Sequence, residues 1–190
     1  ADLFRASGFH VLAVDANGTL DGRAVSILAS LDLVYLEQPF PADDLLAHAA
    51  AARRHEVPIA LDESIGSVSD LETALALGAV GVLNVKPARL GGLRPALEVA
   101  RRAGEEGVRS FVGGMVESGV GRAAALALAA QRWCDLPTDL GPSDRYLVEG
   151  RFDRILLRPV SPLFQVLFET FRLESLQEVV TGVVAVAWAA

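Results

Sequence analysis

The stretch VPIALDESIGSVSDLETALALGAVGVLNVK, residues 57–86, decides the fold. A short apolar run ends in the acids Asp62 and Glu63, a helical pattern with Ser67 as its N-cap follows, and a second apolar run ends in Lys86. These residues predict a strand, a helix and a second strand, with a charged residue after each strand. Parallel α/β folds place their chemistry at the carboxyl ends of such strands.

The same unit recurs along the chain. Glu37, Asp62, Lys86 and Met115 each follow a predicted strand and are separated by 25, 24 and 29 residues, and Asp15 follows an earlier strand. Each interval holds one strand and one helix, so successive strands are expected to be parallel and joined by helical crossovers. The sequence predicts an α/β fold, a partial TIM-like (β/α) barrel, because about five units are legible and a complete barrel has eight strands. A doubly wound open sheet is the alternative, although no glycine-rich phosphate fingerprint follows the first strand.

The apolar pattern also places the other elements and a domain boundary. Residues 1–150 are expected to form the partial barrel, and residues 151–190 a divergent tail of uncertain structure. The predicted strands are 9–14, 33–36, 57–61, 79–85 and 108–112, and the predicted helices outside the opening stretch are 22–31, 41–55, 93–105 and 121–133.

Composition excludes several classes of function. Of the 190 residues, 52% are hydrophobic and 22% charged, which is typical of an ordered soluble domain. The net charge of −7 gives no electrostatic reason to expect nucleic acid or an anionic membrane as a partner. A single cysteine, no signal-peptide pattern in residues 1–18 and an apolar end, residues 179–190, too short to span a bilayer favour a cytoplasmic location.

Three acids at successive strand ends indicate a metal site. In a barrel the strand ends converge on one mouth, so Asp15, Glu37 and Asp62 are expected within a few ångströms of one another. Unneutralised carboxylates at that separation would repel one another strongly. A hard divalent cation removes the conflict, and Mg²⁺ prefers oxygen ligands of this kind, with Mn²⁺ as an alternative ion. Lys86 on the next strand could then act as a base near the metal.

Simpler interpretations stand beside this one. Each acid could be only a polar strand end or a helix N-cap, and a lysine at a strand end is often only solvated. Gly113 and Gly114 could form a simple strand-end turn, and Met115 could be a filler of the apolar core.

Several motifs make the prediction more specific. VDANG at 14–18, EQPF at 37–40, ALDES at 60–64 and NVKPARLGG at 84–92 resemble the enolase superfamily, muconate-lactonising subgroup. The runs VGGMVESGVGRAAALALAA at 112–130 and PSDRY at 142–146 narrow the resemblance to the o-succinylbenzoate synthase and N-acylamino acid racemase family.

This resemblance implies a role for each matching position. Asp15, Glu37 and Asp62 would be the Mg²⁺ ligands, and Lys86 would stabilise the enediolate intermediate in a synthase or serve as one of two acid/base groups in a racemase. Two further polar residues, Glu63 and Asn84, would hold the lysine and the metal ligands. Gly114 and Met115 would line the pocket for a small-molecule carboxylate substrate, and homo-oligomerisation is left open.

The implied reaction is a Mg²⁺-dependent dehydration that yields o-succinylbenzoate, a step toward menaquinone. Racemisation of N-acylamino acids or epimerisation of dipeptides is the alternative within enzymes. The family also has an amino-terminal capping domain and a second catalytic lysine on the second barrel strand, whereas Lys86 is the only lysine of this sequence. A catalytically inactive, metal-binding fragment is therefore an alternative of another class.

Overall fold

The computed structural model describes residues 12–115, 117 and 119–141. Within these residues strands and helices alternate, and all five strands form one sheet in the order β1-β2-β3-β4-β5. Every neighbouring pair of strands is parallel. The elements in chain order are β1 Ala13–Asp15, α1 Gly22–Ala29, β2 Tyr35–Glu37, α2 Leu45–Arg54, β3 Ile59–Leu61, α3 Val68–Leu77, β4 Val82–Val85, α4 Leu93–Glu105, β5 Arg109–Val112 and α5 Gly119–Ala129.

The two faces of the sheet carry two separate apolar cores. Side chains alternate between the faces along a strand, so one face of each strand packs on the helices. The core on the helix side is the larger, and its strand residues include Leu36, Ile59, Leu61, Leu83, Val85 and Val112. The core on the opposite face consists of Ala60, Val82, Phe111 and Leu136, with Tyr35 packed against it.

The second face is the concave side of a half barrel. Tyr35 on β2 stacks on Phe111 on β5 with ring centroids 5.3 Å apart, although β3 and β4 lie between them in the sheet. Strands three positions apart in a flat sheet would be separated by about 14 Å, at about 4.8 Å per step. The sheet must therefore curve toward this inner face, which confirms the predicted partial (β/α) barrel.

The helix boundaries agree with the sequence to within two residues except at two places. Helix α4 covers the predicted residues 93–105, and α3 lies between the Ser67 N-cap and Gly78, whose φ of 66° ends it in the left-handed conformation. Helix α2 begins at Leu45 and not within residues 41–44, because Asp44 is its N-cap and accepts a hydrogen bond from Ala47 N at 2.9 Å.

Helix α5 is the second exception. The sequence predicted residues 121–133, but the helix is Gly119–Ala129, and turns follow it. Trp133 then packs against Gly104 of α4, where a Cβ atom would lie 2.8 Å from the indole Cδ1. The alanine- and leucine-rich composition favours a longer helix, but this contact between the segment after α5 and α4 accompanies the earlier end.

Residues 12–115 and 121–141 belong to the first of two compact units. All contacts considered below lie within the first unit. The predicted tail, residues 151–190, lies outside the described residues, so its boundary stays a prediction. No helix in the described part of the chain is long and apolar enough to cross a membrane.

The N-cap of α3 gives a test of the local fold. Ser67 Oγ accepts a hydrogen bond from Asp70 N at 3.2 Å and donates to the Asp70 carboxylate at 2.9 Å. Ser67→Ala should lower the free energy of unfolding by about 1 kcal/mol, because it removes this cap. Chemical denaturation measures the change. Ser69→Ala, inside the same helix, is the matched control and should not destabilise the chain; equal losses in both variants would contradict the capping role.

Candidate active site

Polar side chains gather at the carboxyl ends of the strands on the inner face. Asp15 pairs in register with Glu37, and Glu37 with Ala60, so the first two acids share a face. Asp62 lies two residues beyond Ala60 and returns to the same face by alternation. The inner-face polar residues at this edge of the sheet are Asp15, Glu37, Asp62, Asn84 and Lys86.

Asp62 is the most enclosed acid of the group. Its side chain is only 1% exposed, and its carboxylate forms ion pairs with two basic side chains. Lys86 Nζ donates to Asp62 Oδ2 at 2.6 Å, and Arg89 Nη1 donates to Oδ1. The Lys86 side chain is only 13% exposed, so the interpretation of Lys86 as a merely solvated lysine is wrong.

Glu37 is buried and contacts Asn84 two strands away. Asn84 Nδ2 donates to Glu37 Oε1 at 2.5 Å. Burial raises the pKa of Glu37 to about 7; the Asn84 hydrogen bond and the charge of Lys86 oppose that rise, while the charges of Asp15 and Asp62 add to it. The charges of Asp15 and Asp62 therefore act on the Glu37 carboxyl group, while the grouping of the three acids around one metal ion stays a prediction.

The remaining polar residues are more open. Asp15 is exposed, and its Oδ1 accepts a hydrogen bond from Asn17 N at 3.0 Å. Glu63 is also exposed, although local desolvation and then the Asp62 carboxylate hold its pKa above the usual range. In the described residues no three acids, histidines or cysteines form a ready cluster for a metal ion, since Asp62 faces Lys86 and Arg89.

The residues nevertheless fit a hard divalent cation in their chemistry. Glu37 is a buried carboxyl group between two other acids, and carboxylate oxygen is the ligand that Mg²⁺ prefers. The buried Asn84 Oδ1 beside it has no hydrogen-bond donor among the described residues. A buried acceptor without a donor is costly, and a bound cation or an ammonium group would satisfy it.

Gly113 provides the space that Asn84 and Lys86 occupy. A Cβ atom on Gly113 would lie 2.0 Å from Asn84 Oδ1 and 2.6 Å from Lys86 Cε. The sequence offered a simple strand-end turn for this glycine, but the structure gives it a steric role. Gly114 N donates to Asp139 Oδ1 at 2.6 Å, and Met115 is 41% exposed, so Met115 is not a filler of the core.

Sequence reasoning missed Gln38, the residue that connects β2 to the segment after β3. It is 1% exposed and has a φ of 37°, a backbone conformation that residues other than glycine rarely adopt. Its Oε1 accepts hydrogen bonds from Asp62 N at 2.9 Å and Ser64 N at 3.4 Å. Its position next to Glu37 in the EQPF motif was the only available signal.

His48 of α2 completes this network. His48 Nδ1 lies 2.8 Å from the carbonyl oxygen of Asp44, and Nε2 lies 3.2 Å from Gln38 Nε2. A carbonyl oxygen only accepts, so the proton is on Nδ1 and Nε2 is the acceptor. Burial holds the pKa of His48 below its usual value of 6.5, which keeps the ring neutral.

Comparisons with known proteins agree with this geometry. The family model described as "Enolase C-terminal domain-like" matches residues 4–154. An N-succinylamino acid racemase from Amycolatopsis sp is 43% identical over 139 residues, covering 72% of this chain and 38% of the relative. An o-succinylbenzoate synthase from Enterococcus faecalis is 42% identical over 141 residues, covering 73% of this chain and 38% of the relative. The chain thus spans well under half the length of the curated relatives that it matches.

Solved structures support the same family. An enolase-superfamily protein of Enterococcus faecalis V583 has a TM-score of 0.73 and 39% identity, covering 78% of this chain and 41% of that one. A dipeptide epimerase from Cytophaga hutchinsonii, complexed with Mg and the dipeptide D-Ala-L-Val, has a TM-score of 0.63 and 25% identity, covering 68% and 36%. A second family model, "ABC-2 family transporter protein", matches residues 140–190, which include the predicted tail.

Gly113 generates a direct test of the inner-face geometry. Gly113→Ala should lower the free energy of unfolding by about 1–3 kcal/mol, because the added methyl group overlaps Asn84 and Lys86. Chemical denaturation measures the change. Gly114→Ala is the matched control, since the nearest atoms to its Cβ lie 3.6 Å away. Equal stability of the two variants would contradict the steric role of Gly113.

His48 predicts how stability depends on pH. The unfolded chain binds a proton at His48 near pH 6.5 and the folded chain does so only at lower pH, so stability is present above 6.5 and is lost as the pH falls below it. The slope from this one group is at most about 1.4 kcal/mol per pH unit. Denaturation of the wild type and of His48→Gln at a series of pH values measures it. An unchanged slope in His48→Gln would contradict the prediction.

Proposed function

The chain belongs to the enolase C-terminal domain-like family, and we propose that it carries the metal ligands and one lysine of an o-succinylbenzoate synthase-like active site. Asp15, Glu37 and Asp62 are the proposed Mg²⁺ ligands, with Mn²⁺ as an alternative ion. The proposed substrate is a small carboxylate, which would be dehydrated to o-succinylbenzoate in a step toward menaquinone.

The observation that carries the proposal is the ion pair of Lys86 with Asp62 on the inner face. It places the only lysine of the chain 2.6 Å from a proposed metal ligand. A lysine beside a carboxylate that could hold a divalent cation is one combination that removes a proton next to a carboxylate. Both residues lie at the carboxyl ends of neighbouring strands, where enzymes with this fold carry out their chemistry.

Different residues of the chain have different proposed roles in this reaction. Bound Mg²⁺ would supply a positive charge that stabilises the negative charge developing on the substrate carboxylate. Lys86 Nζ adds a second cation, held in place by Asp62 and by the space at Gly113. Asn84 orients the Glu37 carboxyl group through its hydrogen bond at 2.5 Å. Glu63 is proposed to support the neighbouring Asp62, while Gly114 and the exposed Met115 are proposed to contact the substrate.

Racemisation of N-succinylamino acids is the second candidate. The Amycolatopsis racemase and the Enterococcus synthase resemble this chain almost equally, at 43% and 42% identity. Dehydration and racemisation share the removal of a proton next to a carboxylate, so the same Lys86 and acids would serve both. In a racemase Lys86 would exchange a proton on one face of the substrate.

An inactive, metal-binding role is the alternative of another class. Lys86 is the only lysine of the sequence, whereas the resemblance implies a second acid/base lysine. The inactive role differs from both enzymes in one measurable respect: it requires metal binding without any proton exchange.

Proton exchange distinguishes these candidates. The full chain with Mg²⁺ in D₂O should replace the α-proton of one enantiomer of an N-succinylamino acid with deuterium, because Lys86 reaches one face only. Lys86→Ala should slow this exchange by at least about 100-fold, the usual contribution of a general acid or base. NMR follows the loss of the α-proton signal, and dehydration of the synthase substrate is followed in parallel.

Arg101→Ala, at an exposed position on α4, is the control and should exchange at the wild-type rate. Magnesium binding without exchange of either enantiomer and without dehydration would establish the inactive alternative. Exchange that persists in Lys86→Ala would contradict the role of Lys86.

A further inference from the structure

The contacts of Gln38 and His48 form a relay of hydrogen bonds with one direction. At one end, the backbone N–H groups of Asp62 and Ser64 can only donate, so the Gln38 atom facing them must be the amide oxygen. The Gln38 amide nitrogen therefore faces the other way, toward His48 Nε2 at 3.2 Å. Nε2 must then accept.

The other end of the relay gives the same direction independently. The carbonyl oxygen of Asp44, the N-cap of α2, only accepts, so His48 Nδ1 carries the proton. This leaves His48 Nε2 as an acceptor, within reach of Gln38 Nε2 and also of Phe40 N at 3.4 Å. No member of the relay can be reversed without placing two donors or two acceptors against each other.

We propose that His48 is a positioning residue, whose Nε2 helps to hold the Gln38 amide in place and thereby the backbone segment that carries Asp62. Gln38 offers two amide protons to three acceptors, Phe40 O at 3.1 Å, His48 Nε2 at 3.2 Å and Ser64 Oγ at 2.8 Å. Without His48 Nε2, the amide loses one of the partners that keep its oxygen toward Asp62 N.

Burial gives the relay its importance. His48 is fully buried and Gln38 is 1% exposed, so water cannot replace a lost partner on either side chain. Gln38 also holds a φ of 37°, a conformation that persists only where the surroundings fix it. Its contacts link three parts of the chain: the end of β2, helix α2 and the segment after β3. A substitution at His48 should therefore weaken the hydrogen bond of Asp62 N to Gln38, although His48 and Asp62 are not in contact.

Among the described residues, the titratable side chain that acts on His48 is Asp44, the N-cap of its own helix. Asp44 contributes both a carbonyl contact and a carboxylate charge, and these oppose the effect of burial on the His48 pKa. Phe40 packs edge-on against the imidazole with centroids 5.4 Å apart and carries no charge. The proposal thus concerns the neutral ring and its tautomer.

Two substitutions separate the two ends of the imidazole. The side-chain amide of His48→Gln can place an acceptor near the Nε2 position, so it should preserve the contact with Gln38. The shorter amide of His48→Asn can replace only Nδ1 and donate to Asp44 O, so it should lose that contact. Both variants remove the ring and its packing on Phe40, which makes them a matched pair.

Amide hydrogen exchange in the full chain reads the effect at the backbone. In His48→Asn the amides of Asp62 and Ser64 should exchange about two- to tenfold faster, as expected for one weakened hydrogen bond. In His48→Gln they should stay within about twofold of the wild type. The amide of Val99, buried in α4, should be unchanged in both and reports any global loss of stability. Equal exchange at Asp62 and Ser64 in the two variants would overturn the proposal.

One measurement on the wild type keeps the proposal testable if a variant fails to fold, and a metal titration extends the test to the proposed function. Nitrogen-15 NMR of histidine in the wild-type chain should show His48 with its proton on Nδ1, and a proton on Nε2 would overturn the relay. Calorimetric titration with Mg²⁺ tests the part that rests on the proposed function: binding should weaken about two- to tenfold in His48→Asn and hold in His48→Gln. If amide exchange at Asp62 and Ser64 differs between the two variants as expected, but the wild type binds no Mg²⁺, the relay is supported and the role of Asp62 as a metal ligand is overturned.

Discussion

Burial of the Asp62 carboxylate is the constraint on which the site depends. Removing an ion from water costs several kcal/mol unless paired charges and hydrogen bonds compensate it. Lys86 and Arg89 supply that compensation from the strand end and loop that follow β4. The position of Lys86 requires an inner face without a side chain at Gly113, so one glycine just after β5 controls the geometry of the ion pair between Lys86 and Asp62.

The three acids solve the same electrostatic problem in different ways. Asp62 is paired with cations, Asp15 stays in solvent, and Glu37 is buried with an amide partner and a pKa raised to about 7. A divalent cation that used all three would have to compete with Lys86 and Arg89 for Asp62. Metal binding and the position of Lys86 are thus coupled through one carboxylate, which is the group nearest to the proposed chemistry.

Sequence alone predicted the parts of the fold that depend on local patterns. The strand and helix repeat, the Ser67 cap and the residues of α4 follow from periodicity and end signals, and the structure confirms them. The predicted end of α5 was wrong. The observed end accompanies the contact of Trp133 with Gly104, which no local signal in the sequence reveals. Strand ends identified the acids and Lys86, whereas the role of Gly113 required the curvature that brings β4 and β5 side chains together.

Gln38 and His48 show why a site extends beyond what strand ends predict. They are ten residues apart. The EQPF motif is the only signal for Gln38, and a buried histidine on a helix usually only fills the core. Their importance comes from the direction of their hydrogen bonds. The Asp44 carbonyl at the start of α2 fixes the tautomer of His48, whose Nε2 then accepts from the Gln38 amide. The oxygen of that amide accepts from the backbone N–H of Asp62. Hydrogen-bond polarity is a tertiary property, so it becomes visible only when both ends of the relay are placed.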